Sequence, residues 1–158
     1  MALSIVPLFP LERGELNVMR VRGLVAALVL VAAAVAAEIL EPGWLPFHGL
    51  VIAPAALVAL WVAAIVPQRR WRHWGYAFTG SELHVAHGWW TRVHTIVPVS
   101  RVQHIDVTQG PLERGFGVSR LVLHTAGTDE NLVTLPGIGR ATAENIRDTI
   151  RERIGSAT

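Results

Sequence analysis

The sequence predicts a two-part α+β membrane protein, in which a pair of membrane-spanning helices precedes a seven-strand sandwich or barrel that a C-terminal helix closes. Three observations lead to this prediction: two long apolar runs, a later stretch of short alternating segments, and an amphipathic pattern at the end. The chain has 158 residues, of which 51% are hydrophobic and 16% are charged. This length suits one small domain in addition to a membrane segment.

The two apolar runs cover residues 23–40 and 49–67, and neither contains Lys or Arg. A helix needs about 20 mostly apolar residues to cross a bilayer, and each run is near that length. The stretch between them is rich in Pro and Gly, which predicts a tight turn. The chain is therefore divided into an N-terminal cytoplasmic segment 1–22, a transmembrane hairpin 23–67 with its turn at 41–49, and a cytoplasmic domain 68–158.

The distribution of arginine predicts how the hairpin is oriented. Arginines precede the first span and follow the second, whereas Glu38 and Glu41 lie at the opposite end of the hairpin, where there is no basic residue. The positive-inside rule then places both termini in the cytoplasm. A cleaved signal peptide that ends at Ala37 is the alternative interpretation. The residues expected at the membrane interfaces are Trp44, Phe47, Arg69, Arg70, Trp71, Arg72 and Trp74.

Residues 74–135 show short alternating segments separated by turn signals, a pattern that is typical of β-strands. About seven strands at this close spacing indicate a small barrel or a sandwich. The segment Trp89–Val97 is one of these predicted strands, and residues 127–131 are a predicted hairpin turn. From Arg140 onward, apolar residues recur every three or four positions, which predicts the closing helix.

A sequence signature runs through the predicted strands. Its positions are Tyr76–Thr79, Leu83, Gly88, Pro98, Arg101–Gln103, Gln109, Leu112–Arg114, Phe116, Gly117, Leu121 and Thr125–Gly127. Through these residues, segment 69–155 resembles the bacterial pleckstrin-homology membrane proteins of the YdbS-like type, and the two preceding spans fit the small members of that family. The resemblance implies a pleckstrin-homology-like fold, which is a bent seven-strand sandwich closed at one end by a helix, in a bacterial inner-membrane protein.

Phosphoinositide binding does not follow from this resemblance. Eukaryotic pleckstrin-homology domains that bind phosphoinositides carry basic residues around the first hairpin, where several cations meet the phosphates. Here the turn reads Thr79-Gly80-Ser81-Glu82 and contains no base. The fold therefore does not predict that ligand.

No catalytic group, metal or cofactor is predicted. The absence of cysteine excludes thiol chemistry and Cys-ligated zinc. His84 and His87 are three residues apart, which on a strand directs them to opposite faces. Glu113 falls in a predicted loop without an evident partner, and no serine has the setting of a hydrolase nucleophile. We therefore expect a protein that is not an enzyme. The histidines that could approach one another across strands are His84, His94, His104 and His124.

Segment 135–146 resembles a helix-hairpin-helix DNA-binding motif, in which a glycine turn directs backbone N–H groups at a phosphate. That motif requires a helix before its turn, whereas Leu121–Leu135 predicts two strands. A turn from the last strand into the closing helix is the competing interpretation.

The predicted function is a non-catalytic, membrane-anchored docking or scaffold module that binds another membrane protein or a second copy of itself. Exposed aromatic residues and arginines are enriched at protein interfaces. The candidate contact residues, which could instead be satellite core, are Trp89, Trp90, Arg101, Gln103, Arg114, Phe116 and Arg120. The alternatives are sensing of anionic lipid head groups through segment 69–74 and DNA contact through segment 135–146.

Overall fold

The computed structural model describes residues 6–40, 49–126 and 132–156, and the chain divides into two compact units. The helical unit is Leu16–Arg69, and the β-rich unit combines the segment up to Glu15 with the chain from Arg70 onward. The segment 1–22 is thus divided between the units, because Leu11 is part of the hydrophobic core of the β-rich unit. Residues 41–48 of the predicted turn 41–49, which include Glu41, Trp44 and Phe47, lie outside the described residues, as does the predicted turn 127–131.

The helical unit is built on two helices, α1 (Arg13–Leu40) and α2 (Ile52–Arg72). Both are long and apolar enough to cross a membrane. Each extends beyond its apolar run on the arginine-rich side, so α2 continues through Pro67 to Arg72. A proline inside a helix removes one backbone hydrogen bond but does not always end the helix. The predicted end of the second span at Pro67 is therefore not the end of the helix.

The carboxylate of Glu38 caps the beginning of α2. It accepts hydrogen bonds from the backbone N–H groups of Gly49 (2.9 Å), Val51 (3.0 Å) and Ile52 (3.3 Å). The first N–H groups of a helix have no partner within the helix, and a negative charge there also meets the positive end of the helix dipole. Glu38 thus connects the end of α1 to the beginning of α2.

The described part of the β-rich unit has seven antiparallel strands in two sheets. The first sheet has the order β1-β2-β3-β4, and the second has the order β5-β6-β7. The strands are β1 (Phe9–Pro10), β2 (Gly75–Phe78), β3 (Glu82–His87), β4 (Val93–Pro98), β5 (Val102–Thr108), β6 (Val118–Thr125) and β7 (Leu132–Gly139). A short helix, α3 (Pro111–Gly115), lies between β5 and β6, and α4 (Arg140–Ser156) follows β7. The predicted fold class is confirmed.

Two strands differ from the sequence prediction. β1 precedes the membrane helices, whereas the sequence predicted every strand after residue 74. Its two residues pair with Tyr76 and Gly75, and so short a segment carries no detectable alternation. β4 begins at Val93 and not at Trp89. Gly88 adopts a φ of +98°, which turns the chain before the strand can start.

The core of the β-rich unit lies between the inner faces of the sheets and α4. Leu83 and Val85 from the first sheet meet Leu121, Leu123 and Leu135 from the second. The predicted stripe on α4 closes this core, and its buried members are Ala143, Ile146 and Ile150.

Candidate interaction surfaces

The strand register distinguishes two ends of the first sheet. Gly75 pairs with Ala86, which pairs with His94, so the turn 88–92 lies at the end where β2 begins. We call this the proximal end, because residues 73 and 74 connect it to the end of α2. The hairpin 79–81 lies at the opposite, distal end. A strand of six residues separates the two ends by roughly 17–20 Å.

Trp71 and Trp74, which were predicted at a membrane interface, are partly buried against the core of the β-rich unit. The Trp71 Nε1–H donates a hydrogen bond to the carbonyl oxygen of Glu12 (3.1 Å). The Trp74 ring stacks on His87, with ring centroids 4.7 Å apart and an angle of 20° between the planes. The first contact joins the end of α2 to the residue before α1, and the second joins the residues after α2 to the end of β3. The side chains of Arg69, Arg70 and Arg72 are exposed.

Trp89 and Trp90 lie in the turn 88–92, and the two side chains belong to the surface and not to a satellite core. Trp90 is 88% exposed and Trp89 is 41% exposed. Their rings pack edge to face, with centroids 6.0 Å apart. A Cβ at Gly88 would collide with the carbonyl oxygen of Thr91, so both the φ and the space require glycine there.

The residues predicted as contacts lie on several elements of the β-rich unit. Strand β4 runs from the turn 88–92 to Pro98 at the distal end, and Arg101 and Gln103 follow there. The full length of β4 therefore lies between the tryptophan pair and Arg101 along the chain. Arg114 and Phe116 lie instead beside the beginning of β6.

Arg120 forms a salt bridge with Glu113, which the sequence analysis left without a partner. The Arg120 Nη2 lies 2.8 Å from Oε1 of Glu113, and the Glu113 side chain is buried. The other carboxylate oxygen accepts the backbone N–H of Gly110 at 2.6 Å. The prediction for Glu113 is therefore wrong. The sequence did carry a signal, because Pro111 followed by Glu113 is typical of the first turn of a helix.

The histidines form two separate pairs. His84 and His94 lie on the first sheet with ring centroids 5.5 Å apart, and His104 and His124 lie on the second at 5.6 Å. Asp106 stands between the second pair, with an oxygen 3.0 Å from Nε2 of His104 and another 3.5 Å from Nε2 of His124. Within residues 6–40, 49–126 and 132–156, no group of three or more such side chains has a geometry suited to a metal ion.

Tyr76, Arg147 and Asp148 have shifted pKa values. Burial raises the pKa of Tyr76, and the nearby charge of Glu12 raises it further. On α4, a hydrogen bond from Arg147 lowers the pKa of Asp148, and the same bond raises the pKa of Arg147. The Arg147–Asp148 pair lies at the surface of α4, where the side chains are 28% and 55% exposed.

The distal hairpin has a basic neighbour that its own sequence does not reveal. A Cβ added to Gly80 would lie 3.0 Å from the guanidinium of Arg153, which reaches the hairpin from α4.

The segment that resembled a DNA-binding motif differs from that motif. The described residues before the glycine turn belong to strands β6 and β7, whereas the motif requires a helix there. α4 then begins directly at Arg140, which agrees with the competing interpretation.

A sequence profile described as "Bacterial PH domain" matches residues 20–154. The chain belongs to the bacterial PH domain family. A curated relative, the UPF0699 transmembrane protein YdbS of Bacillus subtilis (strain 168), is 29% identical over 127 residues, which are 80% of this chain and 77% of the relative. No solved structure matches the chain significantly. This bacterial PH domain protein is thus a membrane-associated module whose apolar helices contact lipid.

Proposed function

We propose that this bacterial PH domain protein is a non-catalytic docking module, anchored in the inner membrane by two spans with its β-rich unit in the cytoplasm. In this proposal, it binds another membrane protein or a second copy of itself through the outer edge of β4. One observation carries the proposal: β4 ends its sheet and exposes Val93 and Ile96.

The other sheet edges have features that discourage pairing. Edge strands are usually protected by charge, proline, bulges or short length. β1 has two residues, and β5 carries a bulge near Gln103 and the polar residues His104 and Asp106. β7 contains Pro136, and its Gly137 carbonyl accepts the backbone N–H of Glu12 at 2.9 Å.

β4 has none of these protections before its last residue. The segment 83–105 contains no acidic residue, and among the described residues no strand pairs with the outer edge of β4. A strand or an extended segment of a partner can add to such an edge through main-chain hydrogen bonds, and exposed side chains then supply selectivity. Ile96 is 49% exposed and is suited to this contact.

A lysine at position 96 is expected to abolish docking while leaving the fold intact, because an exposed edge lysine opposes strand addition. Crosslinking in native membranes should recover a defined complex or homo-oligomer with the unmodified chain. Ile96→Lys should lower the recovered complex by about tenfold, as the loss of a contact hot spot would. Leu132→Lys is the matched control, since Leu132 is also an exposed aliphatic residue (55%) on a strand at a sheet edge. An equal yield from both variants would reject β4 as the docking edge.

The pairing of β1 with β2 supports the proposed two-pass topology. Pro10 precedes both apolar helices and Gly75 follows both, yet these residues are direct partners in one sheet. Two paired strands must lie on the same side of a membrane, so the helices between them cross it an even number of times. The arginines beside both strands then favour the cytoplasmic side.

Thiol labelling tests this topology, because the chain has no native cysteine. A membrane-impermeant reagent applied to intact cells is expected to label Gly43→Cys but not Ser4→Cys or Ser156→Cys. Permeabilised cells should show labelling of all three variants. Labelling of Ser156→Cys in intact cells would contradict the cytoplasmic assignment. A mass of the mature protein that corresponds to a chain beginning after Ala37 would support the signal-peptide alternative.

A further inference from the structure

We propose that the turn 88–92 places Trp89 and Trp90 in the head-group region of the bilayer in which the protein is anchored, with Arg92 at its anionic lipids. This tryptophan turn would be a second lipid contact, separate from the helices themselves. The proposal does not depend on the docking role of β4, because it concerns a different segment and a different ligand.

The location of the tryptophan turn within the β-rich unit is the first argument. Trp74 follows the end of α2 by two residues, and its ring stacks on His87 at 4.7 Å. Trp90 follows His87 by three residues, so their Cα atoms are at most about 11 Å apart. The turn is therefore held next to the residues through which the chain arrives from an apolar helix.

The chemistry of the turn is the second argument. Tryptophan is enriched at membrane–water interfaces because its ring combines a large apolar body with one N–H donor. An 88% exposed tryptophan on a folded domain is unusual, since this residue is highly buried on average. Arg92 is exposed beside the pair, and the segment 83–105 contains no acidic residue that would oppose an anionic surface.

The turn is also held in a fixed form. Gly88 has a φ of +98°, and the edge-to-face packing of Trp89 on Trp90 orders the two rings relative to each other. The cost of ordering these side chains on binding is thereby reduced. A preformed aromatic pair next to an arginine is suited to insertion in an interface.

A second exposed aromatic residue lies beside the other connection to the helices. Gly14, the second residue of α1, packs against the backbone of Phe116, where a Cβ would not fit. Phe116 is 39% exposed, and Arg114 is exposed next to it. Each connection between the β-rich unit and an apolar helix thus has an exposed aromatic residue and an exposed arginine near it.

Fluorescence quenching in lipid nanodiscs, with one copy of the full chain in each, tests the proposal. A fluorophore is attached to Thr91→Cys, which keeps both tryptophans, and the discs contain phosphatidylcholine with phosphatidylglycerol. A quencher attached to the lipid near the head group should reduce its emission by about half, because inserted groups lie within about 5–10 Å of the acyl boundary. The matched control is Ser81→Cys, an exposed position in the distal hairpin of the same sheet, which should remain unquenched.

Replacement of both tryptophans by serine in the Thr91→Cys background should lower the quenching to the Ser81→Cys value. Discs without phosphatidylglycerol should give weaker quenching at position 91. Two results would overturn the proposal. In the first, a water-soluble quencher reaches positions 91 and 81 equally while the lipid quencher reaches neither. In the second, the double replacement leaves the lipid quenching at position 91 unchanged. The quenching would then follow from the attachment of the β-rich unit to the apolar helices and not from the tryptophans.

Discussion

Replacement of Glu113 by alanine is expected to destabilise the β-rich unit by about 3 kcal/mol. The carboxylate is buried, pairs with Arg120 at 2.8 Å and accepts the N–H of Gly110. Its removal leaves a guanidinium without its counter-charge and a backbone donor without its acceptor. The value is at the lower end for a buried ion pair, because 34% of the Arg120 side chain is in contact with water.

Amide hydrogen exchange measures this loss in the full chain. The amides of Leu121 and Leu123 in the central strand of the second sheet are expected to exchange roughly a hundredfold faster in Glu113→Ala. Glu144→Ala is the matched control, because Glu144 pairs with Arg140 at the same 2.8 Å but on the exposed face of α4. Its effect should be about 0.5 kcal/mol or less. Equal exchange in both variants would show that the buried pair does not stabilise the unit.

Replacement of Leu11 by alanine is expected to cost about 3 kcal/mol in the same unit, although Leu11 lies before the first membrane helix. Its side chain is 2% exposed and belongs to the core cluster that contains Leu83 and Leu135. Shortening a buried leucine removes apolar contact area and leaves a cavity that the surrounding residues fill only in part.

The control for this prediction is Leu132→Ala, which makes the same chemical change at an exposed position. Exchange of the β3 amides should accelerate strongly in Leu11→Ala and remain nearly unchanged in the control, since exposed substitutions cost about 0.5 kcal/mol or less. If Leu11→Ala behaved like Leu132→Ala, the N-terminal segment would not contribute to the core.

The regular elements could be predicted from the sequence because their periodicity extends over many residues. The two apolar runs and the stripe of Ala143, Ile146 and Ile150 on α4 are signals of this kind. β1 could not be predicted, since two residues have no period and its partner β2 lies beyond both membrane helices. Long-range pairing of this sort leaves no local trace in the sequence.

The candidate surfaces were less predictable than the fold. Adjacent residues on a strand face opposite sides, so one of the two tryptophans was expected to face outward. The turn conformation of Gly88 releases both Trp89 and Trp90 from the strand, and a φ angle is not visible in the sequence. The role of Glu113 depended on Arg120, which lies seven residues away on another element. The sequence identified the kinds of residue involved, whereas their grouping followed from the topology.

The placement of β1 has a consequence for how the protein is made. The ribosome completes Phe9–Pro10 before either apolar helix exists, and the partner strand appears only after both have been synthesised. The β-rich unit therefore cannot finish folding during the early part of translation. A chain that inserts with a single crossing leaves Leu11 and β2 on opposite sides of the bilayer, so its core stays incomplete. Completion of the β-rich unit is thereby coupled to correct insertion of the two apolar helices.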